Sequence, residues 1–389
     1  MPKIEIPIVV VAYNRPTSIS RLLSSLKKAN YPKKNIELII SIDRATDNEN
    51  VLAIANDFYW PHGKKTISYQ KTNLGLRNHI LKCGDLCLEF GSVLILEDDI
   101  YVSPNFYSFA SAALQFSLDK DYIAGISLYN HLLNVHTRDN FTAIEDGYDN
   151  WYFQFASSWG QVWSKKQWSE FKDWYSLGNT LNDTTDIPKN VSSWSDKSWL
   201  KFFIAFLIEK DKYFLYPKIS VSTNFSDIGT HIGKDSTVYQ VPLGFYQNFG
   251  FNFSTLQNSN SVYDAFFENI NLYRCIDIPH DSLCIDLYAY KSKPKERYWL
   301  TTRILNYKVV RIYGRSLRPI DANIIEDING SDIYLYDTEA IEKTNLKIDS
   351  LRKFKYKTRH ISYTSAGHVF INLTLLKFKD LFNKIIKQQ

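Results

Sequence analysis

Residues 4–16 read Ile4-Glu-Ile-Pro-Ile-Val-Val-Val-Ala12-Tyr13-Asn14-Arg15-Pro16. From Ile4 to Ala12 the run is almost continuously apolar and mostly β-branched. Without polar alternation, it predicts a strand covered on both faces, as in parallel sheets. Asn14-Arg15-Pro16 breaks the run, and Pro16 suits a first helical turn. Ile19, Leu22, Leu23 and Leu26 then recur at helical spacing, up to Tyr31-Pro32. Outward from there the rhythm repeats. Strands are expected at Ile36–Ile42, Thr66–Tyr69 and Val93–Leu96, with helical stretches at 49–58 and 76–90. Alternating strand and helix predicts an α/β fold with a mostly parallel sheet and right-handed crossovers.

In open sheets of this kind a ligand lies beyond the carboxyl ends of the strands. Three polar clusters fall there: Ala12-Tyr13-Asn14-Arg15, Asp43-Arg44, and Glu97-Asp98-Asp99. An ordinary βα turn explains any one of them; the convergence of all three points to a site. Carboxylates crowded at the tip of a buried strand repel each other unless a cation or hydrogen bonds neutralise them. A hard dication, Mn²⁺ or Mg²⁺, takes oxygen ligands and is commonly held by one or two carboxylates plus substrate phosphates. Strand alternation places Glu97 and Asp99 on one face and turns Asp98 away. The competing reading is a helix N-terminus, where acidic groups also gather.

Taken in order, VVVAYNRP, SIDR, NLGLR and LILEDDIYVSPNFY resemble the GT-A nucleotide-sugar glycosyltransferases. The acidic motif is similar to the EDD form of the DXD signature in bacterial family 2-like transferases and the N-acetylglucosaminyltransferase I group. The resemblance spans about residues 4–235. It implies a Rossmann-like GT-A domain that binds a nucleotide diphosphate-sugar with Mn²⁺ or Mg²⁺. Position by position, it implies that Ala12, Tyr13 and Arg15 line the nucleotide and that Asp43, with Arg44 beside it, lies at the base or ribose. It puts Arg77 near the diphosphate, Asp99 on the metal with Glu97, and Asp98 on ribose or metal-bound water. By the same resemblance a general base follows the acidic motif and precedes a Trp-containing helix, and Asp196 is the nearest carboxylate there; the position just before that Trp is Ser198. FASSWGQVW, residues 155–163, is similar to the SSWG segment of the bacterial relatives. It offers Trp159 and Gly160 as acceptor or donor-sugar contacts, while core packing accounts for many of the other aromatics. His231, in Asp227-Ile-Gly-Thr-His-Ile-Gly233, stands where some relatives place a phosphate or metal contact on a closing segment.

The 389 residues suffice for two or three domains, and 44% hydrophobic with 22% charged residues excludes a disordered, collagenous or coiled-coil chain. Residues 1–262 are expected to be the transferase domain, 1–100 its nucleotide-binding half and 101–262 its acceptor-side half. Residues 263–389 read as a basic α-rich or α+β extension. Four cysteines are too few for a disulfide scaffold, and the N-terminus lacks signal-peptide features, so a cytoplasmic protein is expected. Lys and Arg outnumber Asp and Glu by 20 to 10 in residues 291–389 and are outnumbered 26 to 31 in the rest.

At the C-terminal end, Ile371, Leu375, Phe378, Leu381, Phe382, Ile385 and Ile386 recur at helical spacing, with Lys377, Asp380, Lys384 and Lys387 opposite. This helix either lies on an anionic membrane, at the inner face of the cell membrane, or packs on the domain. No nucleic-acid recognition motif accompanies the charge. The reading is therefore an inverting hexosyltransferase, with UDP-sugar as donor and a glycan or lipid-linked hydroxyl as acceptor, in bacterial surface polysaccharide synthesis. A sugar nucleotidyltransferase wants a Gly-rich basic loop after its first strand, which AYNRPTS is not; a non-catalytic nucleotide-sugar-binding protein of the same fold is the third reading.

Overall fold

The computed structural model describes residues 5–31, 35–178, 186–225, 227, 238–245, 250–292, 294–344, 350–358 and 361–386. In chain order the first half runs β1 (Ile8–Ala12), α1 (Pro16–Lys28), β2 (Leu38–Ile42), α2 (Glu49–Asp57), β3 (Lys65–Tyr69), α3 (Gly75–Gly84), α4 (Leu86–Phe90), β4 (Ser92–Glu97), β5 (Ile100–Val102), α5 (Phe106–Ser117) and β6 (Ile123–Ser127). There follow β7 (Asn150–Phe153), β8 (Gln161–Ser164), α6 (Lys165–Ser176), α7 (Lys189–Ser192), α8 (Leu200–Glu209), β9 (Tyr213–Pro217), β10 (Ser222–Asn224) and β11 (Val262–Tyr263).

Nine of these strands form one mixed, mostly parallel sheet flanked by helices, in the order β11-β7-β9-β6-β8-β4-β1-β2-β3. Strands β4, β1, β2 and β3 are parallel neighbours in register, with Ala12 opposite Ile42, Ile42 opposite Tyr69, and Val11 opposite Glu97. Their carboxyl ends therefore share one edge. Because β2 and β4 lie on opposite sides of β1, the strand order reverses between β1 and β4, the point at which open α/β sheets bind ligands.

β1 shows why the opening run is apolar throughout. Ile8, Val10 and Ala12 join the core under α1 and α5, and Val9 and Val11 join the core on the opposite face. The Trp-rich stretch builds that second core. Trp151, Trp163, Trp168 and Trp174 are buried with Trp199, whereas Trp159 keeps part of its surface open. The helix expected over 76–90 is two helices. Trp168 packs against Gly84, where a Cβ would stand 2.1 Å from the ring, and its Nε1 donates to Asp85 at 2.9 Å, where the helix breaks. Residues 213–224 hold two strands. β9 joins the large sheet, while β10 pairs antiparallel with β5 just after the acidic cluster.

A second, four-stranded sheet follows, made of β12 (Leu283–Asp286), β13 (Tyr298–Thr301), β14 (Tyr307–Tyr313) and β15 (Ile333–Ile341) in the order β12-β13-β15-β14. It carries the short α9 (Ala322–Ile325) before β15 and is followed by α10 (Ser350–Thr358) and α11 (Tyr363–Ile386). The segment between β11 and β12 ties it down: Lys291 pairs with Asp264 at 2.5 Å, and buried Glu268 accepts from the Tyr288 N–H at 2.9 Å.

The contact of Trp168 with Gly84 is tested by Gly84→Ala. The methyl group overpacks the second core, and urea denaturation should show a loss of about 1–3 kcal/mol. An unchanged midpoint would mean that Trp168 does not need that gap.

Candidate functional site

The ends of β1 and β4 are bridged by a side chain. Arg15, the residue before α1, reaches across to the two residues that follow β4. Its guanidinium bonds Asp98 Oδ1 and, at 3.1 Å, Asp99 Oδ2. The partnership differs from strand alternation for a physical reason. β4 ends at Glu97, and Asp98-Asp99 form the turn into β5, so both point at Arg15. Glu97 instead shares a face with Ile95 and Val11. Burial pushes the Asp98 carboxyl up to about 6 against the pull of Arg15, and pushes Glu97 to about 8 with the Asp99 charge adding.

Arg15 occupies only one oxygen of each aspartate. Asp98 Oδ2 and Asp99 Oδ1 are buried and have no hydrogen-bond partner among the described residues. Two unfilled, hard carboxylate oxygens fit a Mg²⁺- or Mn²⁺-type ion. Among the described residues no group of three His, Cys, Asp or Glu side chains is disposed to hold a metal. An ion bound here would have two carboxylates as protein ligands and would need further oxygens from a ligand or water. His231 lies outside the described residues.

Along the same edge, past β2, Asp43 has a different task. Its Oδ1 accepts from the Arg44 and Leu74 N–H groups at 2.9 and 2.8 Å, and its Oδ2 from the Gly75 N–H at 3.0 Å. The carboxylate meets the unsatisfied donors and positive dipole end of α3. Gly75 takes φ +72°, a conformation that L side chains resist, which turns the chain into that cap. Asn48 does not cap α2, although it precedes it. Its Nδ2 donates to Tyr13 O at 2.8 Å and Asp43 O at 2.7 Å, and its Oδ1 accepts from Tyr69 OH at 2.8 Å. One buried amide thereby joins the ends of β1, β2 and β3. Above it, Arg44 lies 4.7 Å from the centroid of Tyr69, and Asn73 Nδ2 reaches Tyr13 OH at 3.4 Å and Arg44 O at 2.7 Å. Tyr13 and Tyr69 are partly exposed and Arg44 is exposed.

On the other side of β4, Trp159 and Gly160 enter β8. Gly160 has φ +94°, its carbonyl accepts from Leu128 N–H at 3.0 Å, and Ser222 Oγ donates to Trp159 O at 2.6 Å. The Trp159 ring meets Tyr129 edge-on at 4.5 Å and Tyr239 at 5.0 Å. These backbone ties set Trp159 beside β10, which abuts the acidic turn through the Phe225 N–H bond to Asp99 O at 3.0 Å. Phe225 in turn covers the Arg21 guanidinium at 3.8 Å, and Asp227 pairs with Arg21 and accepts from Ser18 Oγ at 2.6 Å.

Arg77 and Asp196, separate in sequence, meet: the Arg77 guanidinium donates to Asp196 O at 2.7 Å and lies over Phe202. The Asp196 carboxylate is exposed and pairs with Lys201 Nζ at 2.6 Å, which holds it below the ordinary carboxylate range. Arg77 is thus engaged with the loop before α8 rather than with Asp98 and Asp99. Among the expected residues the structure gathers Ala12, Tyr13, Arg15, Asp43, Arg44, Glu97, Asp98, Asp99, Trp159 and Gly160 on one edge. Asn48, Asn73 and Tyr69 were not anticipated. Their signal is faint, because Asn at a helix start or turn ordinarily reads as a cap.

No protein-family model matches the chain, and no curated protein matches it. Solved structures that it resembles include a mannosyltransferase, PcManGT from Pyrobaculum calidifontis, in complex with GDP-Man and Mn²⁺ (13% identity, 46% of this chain and 48% of that one, TM-score 0.31). Another is GalNAc-T7 with UDP, GalNAc and Mn²⁺ (12% identity, 56% and 43% covered, TM-score 0.37). A third is a cytidylyltransferase from Leptospira borgpetersenii serovar Hardjo-bovis (10% identity, 54% and 95% covered, TM-score 0.29). This chain spans about half the length of the first two. At these scores the likenesses decide nothing about the site, whose chemistry rests on its own residues.

Two variants test the geometry. Arg15→Gln leaves the aspartates without their counterion. In EDTA it should unfold about 2 kcal/mol more easily, and Mn²⁺ should stabilise it more than the parent, read as a shift in Tm. Equal Mn²⁺ shifts in the two proteins would disprove a shared cation site. Asp43→Ala removes three N–H partners and should cost about 1–2 kcal/mol in chemical denaturation; stability equal to the parent would show that α3 needs no such cap.

Proposed function

We propose that the protein is a metal-dependent glycosyltransferase that moves a hexosyl group from a nucleoside diphosphate-sugar to an acceptor hydroxyl. The observation that carries this reading is the order of groups along one sheet edge. Aromatic and cationic side chains (Tyr13, Arg44, Tyr69) come first, then Arg15 with two half-free aspartates, then a part-open Trp159. Base, diphosphate and sugar of a nucleotide-sugar follow each other in the same sequence. A dication held by Asp98 and Asp99 would supply Lewis-acid stabilisation of charge on the leaving diphosphate. Arg15 adds a fixed positive charge at the same place, and Trp159 offers a flat apolar face to a sugar ring.

Asp196 is the proposed general base. Its pairing with Lys201 keeps it ionised at neutral pH, the state a proton acceptor needs. The same pairing lowers its basicity, so the Lys201 contact must open as the acceptor hydroxyl approaches. A single base opposite the leaving group corresponds to inversion. UDP is the proposed nucleotide and a glycan or lipid-linked hydroxyl in bacterial surface polysaccharide synthesis the proposed acceptor, both on the resemblance in sequence.

Calorimetric titration of UDP with and without Mn²⁺ tests the site. Asp99→Ala should weaken the Mn²⁺-dependent affinity at least about tenfold, about 1.4 kcal/mol. The same affinity in both proteins, with and without Mn²⁺, would remove Asp99 from the site. Asp196→Asn should bind donor like the parent and transfer at least about 100-fold more slowly; near-normal transfer would discard it as the base. Release of pyrophosphate from a nucleoside triphosphate and a sugar phosphate would replace the proposal with nucleotidyl transfer.

A further inference from the structure

The longest helix in the chain is also its most exposed element. α10 is fastened to the body. Tyr356 lies under the guanidinium groups of Arg315 and Arg318, at 4.4 and 5.5 Å from the ring centroid. Its OH donates to Leu317 O at 2.6 Å, and Lys357 pairs with Asp139 at 2.5 Å. Beyond it, no residue of α11 from Tyr363 to Lys379 is buried. Phe370 is 73% exposed, Leu373 61% and Phe378 64%, and Val369, Ile371, Leu375, Leu376 and Leu381 are exposed with them. Its side-chain hydrogen bonds turn inward, from Asn372 to His368 O and from Thr374 to Phe370 O.

Residues 369–378 are apolar around most of the helix circumference: Val369, Phe370, Leu373 and Leu376 on one flank, Ile371, Leu375 and Phe378 on the other. A surface of that kind is stable only when covered. Charge decides what covers it. Residues 350–389 carry nine Lys and Arg against one acidic residue, Asp380, whereas the other residues carry 37 against 40. A second copy of this helix would bring like charge against like. An anionic surface is complementary. Among the described residues no helix is long and apolar enough to cross a membrane, so the fit is to an interface and not to a span.

We propose that α11 is a membrane-surface anchor, seated along the headgroup region of an anionic bilayer. Val369 to Phe378 enter the acyl boundary, and Lys377 and Lys379 meet the headgroups. The anchor is independent of the transferase reading and stands or falls separately.

The test uses the full chain and co-sedimentation with vesicles of equal parts phosphatidylcholine and phosphatidylglycerol, against pure phosphatidylcholine. Binding to the anionic vesicles should be at least about tenfold stronger and should weaken as salt is raised. The double substitution Phe370→Glu with Leu373→Glu should cut it at least about tenfold, and Lys377→Glu with Lys379→Glu should do likewise. Both sites are exposed, so the unfolding transition should stay at the parent's position and separate lost docking from misfolding. Absent binding, equal binding to neutral vesicles, or parent-like binding by the Phe370/Leu373 variant would each overturn the anchor. So would a concentration-dependent dimer in sedimentation that the same variant dissolves, because a second copy would then cover the helix.

Discussion

Everything at the site depends on Arg15 bridging the turn after β4. Two aspartates in sequence at the tip of a buried strand are unstable neighbours, and a lone arginine neutralises them incompletely. It satisfies one oxygen of each and leaves the other pair buried and unfilled. On the proposed reading that imbalance is what a second cation would relieve, at the point where the strand order reverses between β1 and β4. The β-branched run of β1 serves both ends of this arrangement. Its alternate side chains anchor two cores, and the rigidity so obtained fixes where Arg15 begins.

Neighbouring elements hold that edge in place with polar groups that are themselves fully occupied. Asp43 is spent on the N-terminus of α3, and Asn48 on three strand ends. On the far side, β10 returns alongside β5, so that Ser222 holds the Trp159 carbonyl while Phe225 bonds Asp99. The aromatic platform and the acidic turn are thus linked by one short antiparallel pair. A ligand lying across the edge would touch partly exposed groups whose supports are buried, an arrangement that favours a defined pose.

Much of the fold was legible because burial on both faces leaves a strong mark. Apolar runs, β-branched in β1, gave the positions of β1, β2 and β4, and the three polar clusters at their ends do share one edge. Core packing was expected for many aromatics of the Trp-rich stretch; Trp151, Trp163, Trp168 and Trp174 are buried and Trp159 is part-open. What stayed hidden depended on contacts distant in sequence. The helix break at Gly84-Asp85 is imposed by Trp168, 83 residues on from Asp85. Which acids would pair depended on where β4 stopped, one residue before alternation would have separated Asp98 from Asp99. The role of Asn48 as a strand tie rests on Tyr13, Asp43 and Tyr69 and has no local sequence signal. The C-terminal helix was legible as a helix with basic and apolar faces, but not its exposure, which depends on what the body leaves uncovered.

The most direct test of the central claim is anomalous diffraction at the manganese edge, on crystals grown with a nucleoside diphosphate and Mn²⁺. A peak is expected within coordination distance of Asp98 Oδ2 and Asp99 Oδ1, with the diphosphate beside it. A bound nucleotide with no anomalous peak there, or a peak held by other residues, would contradict it.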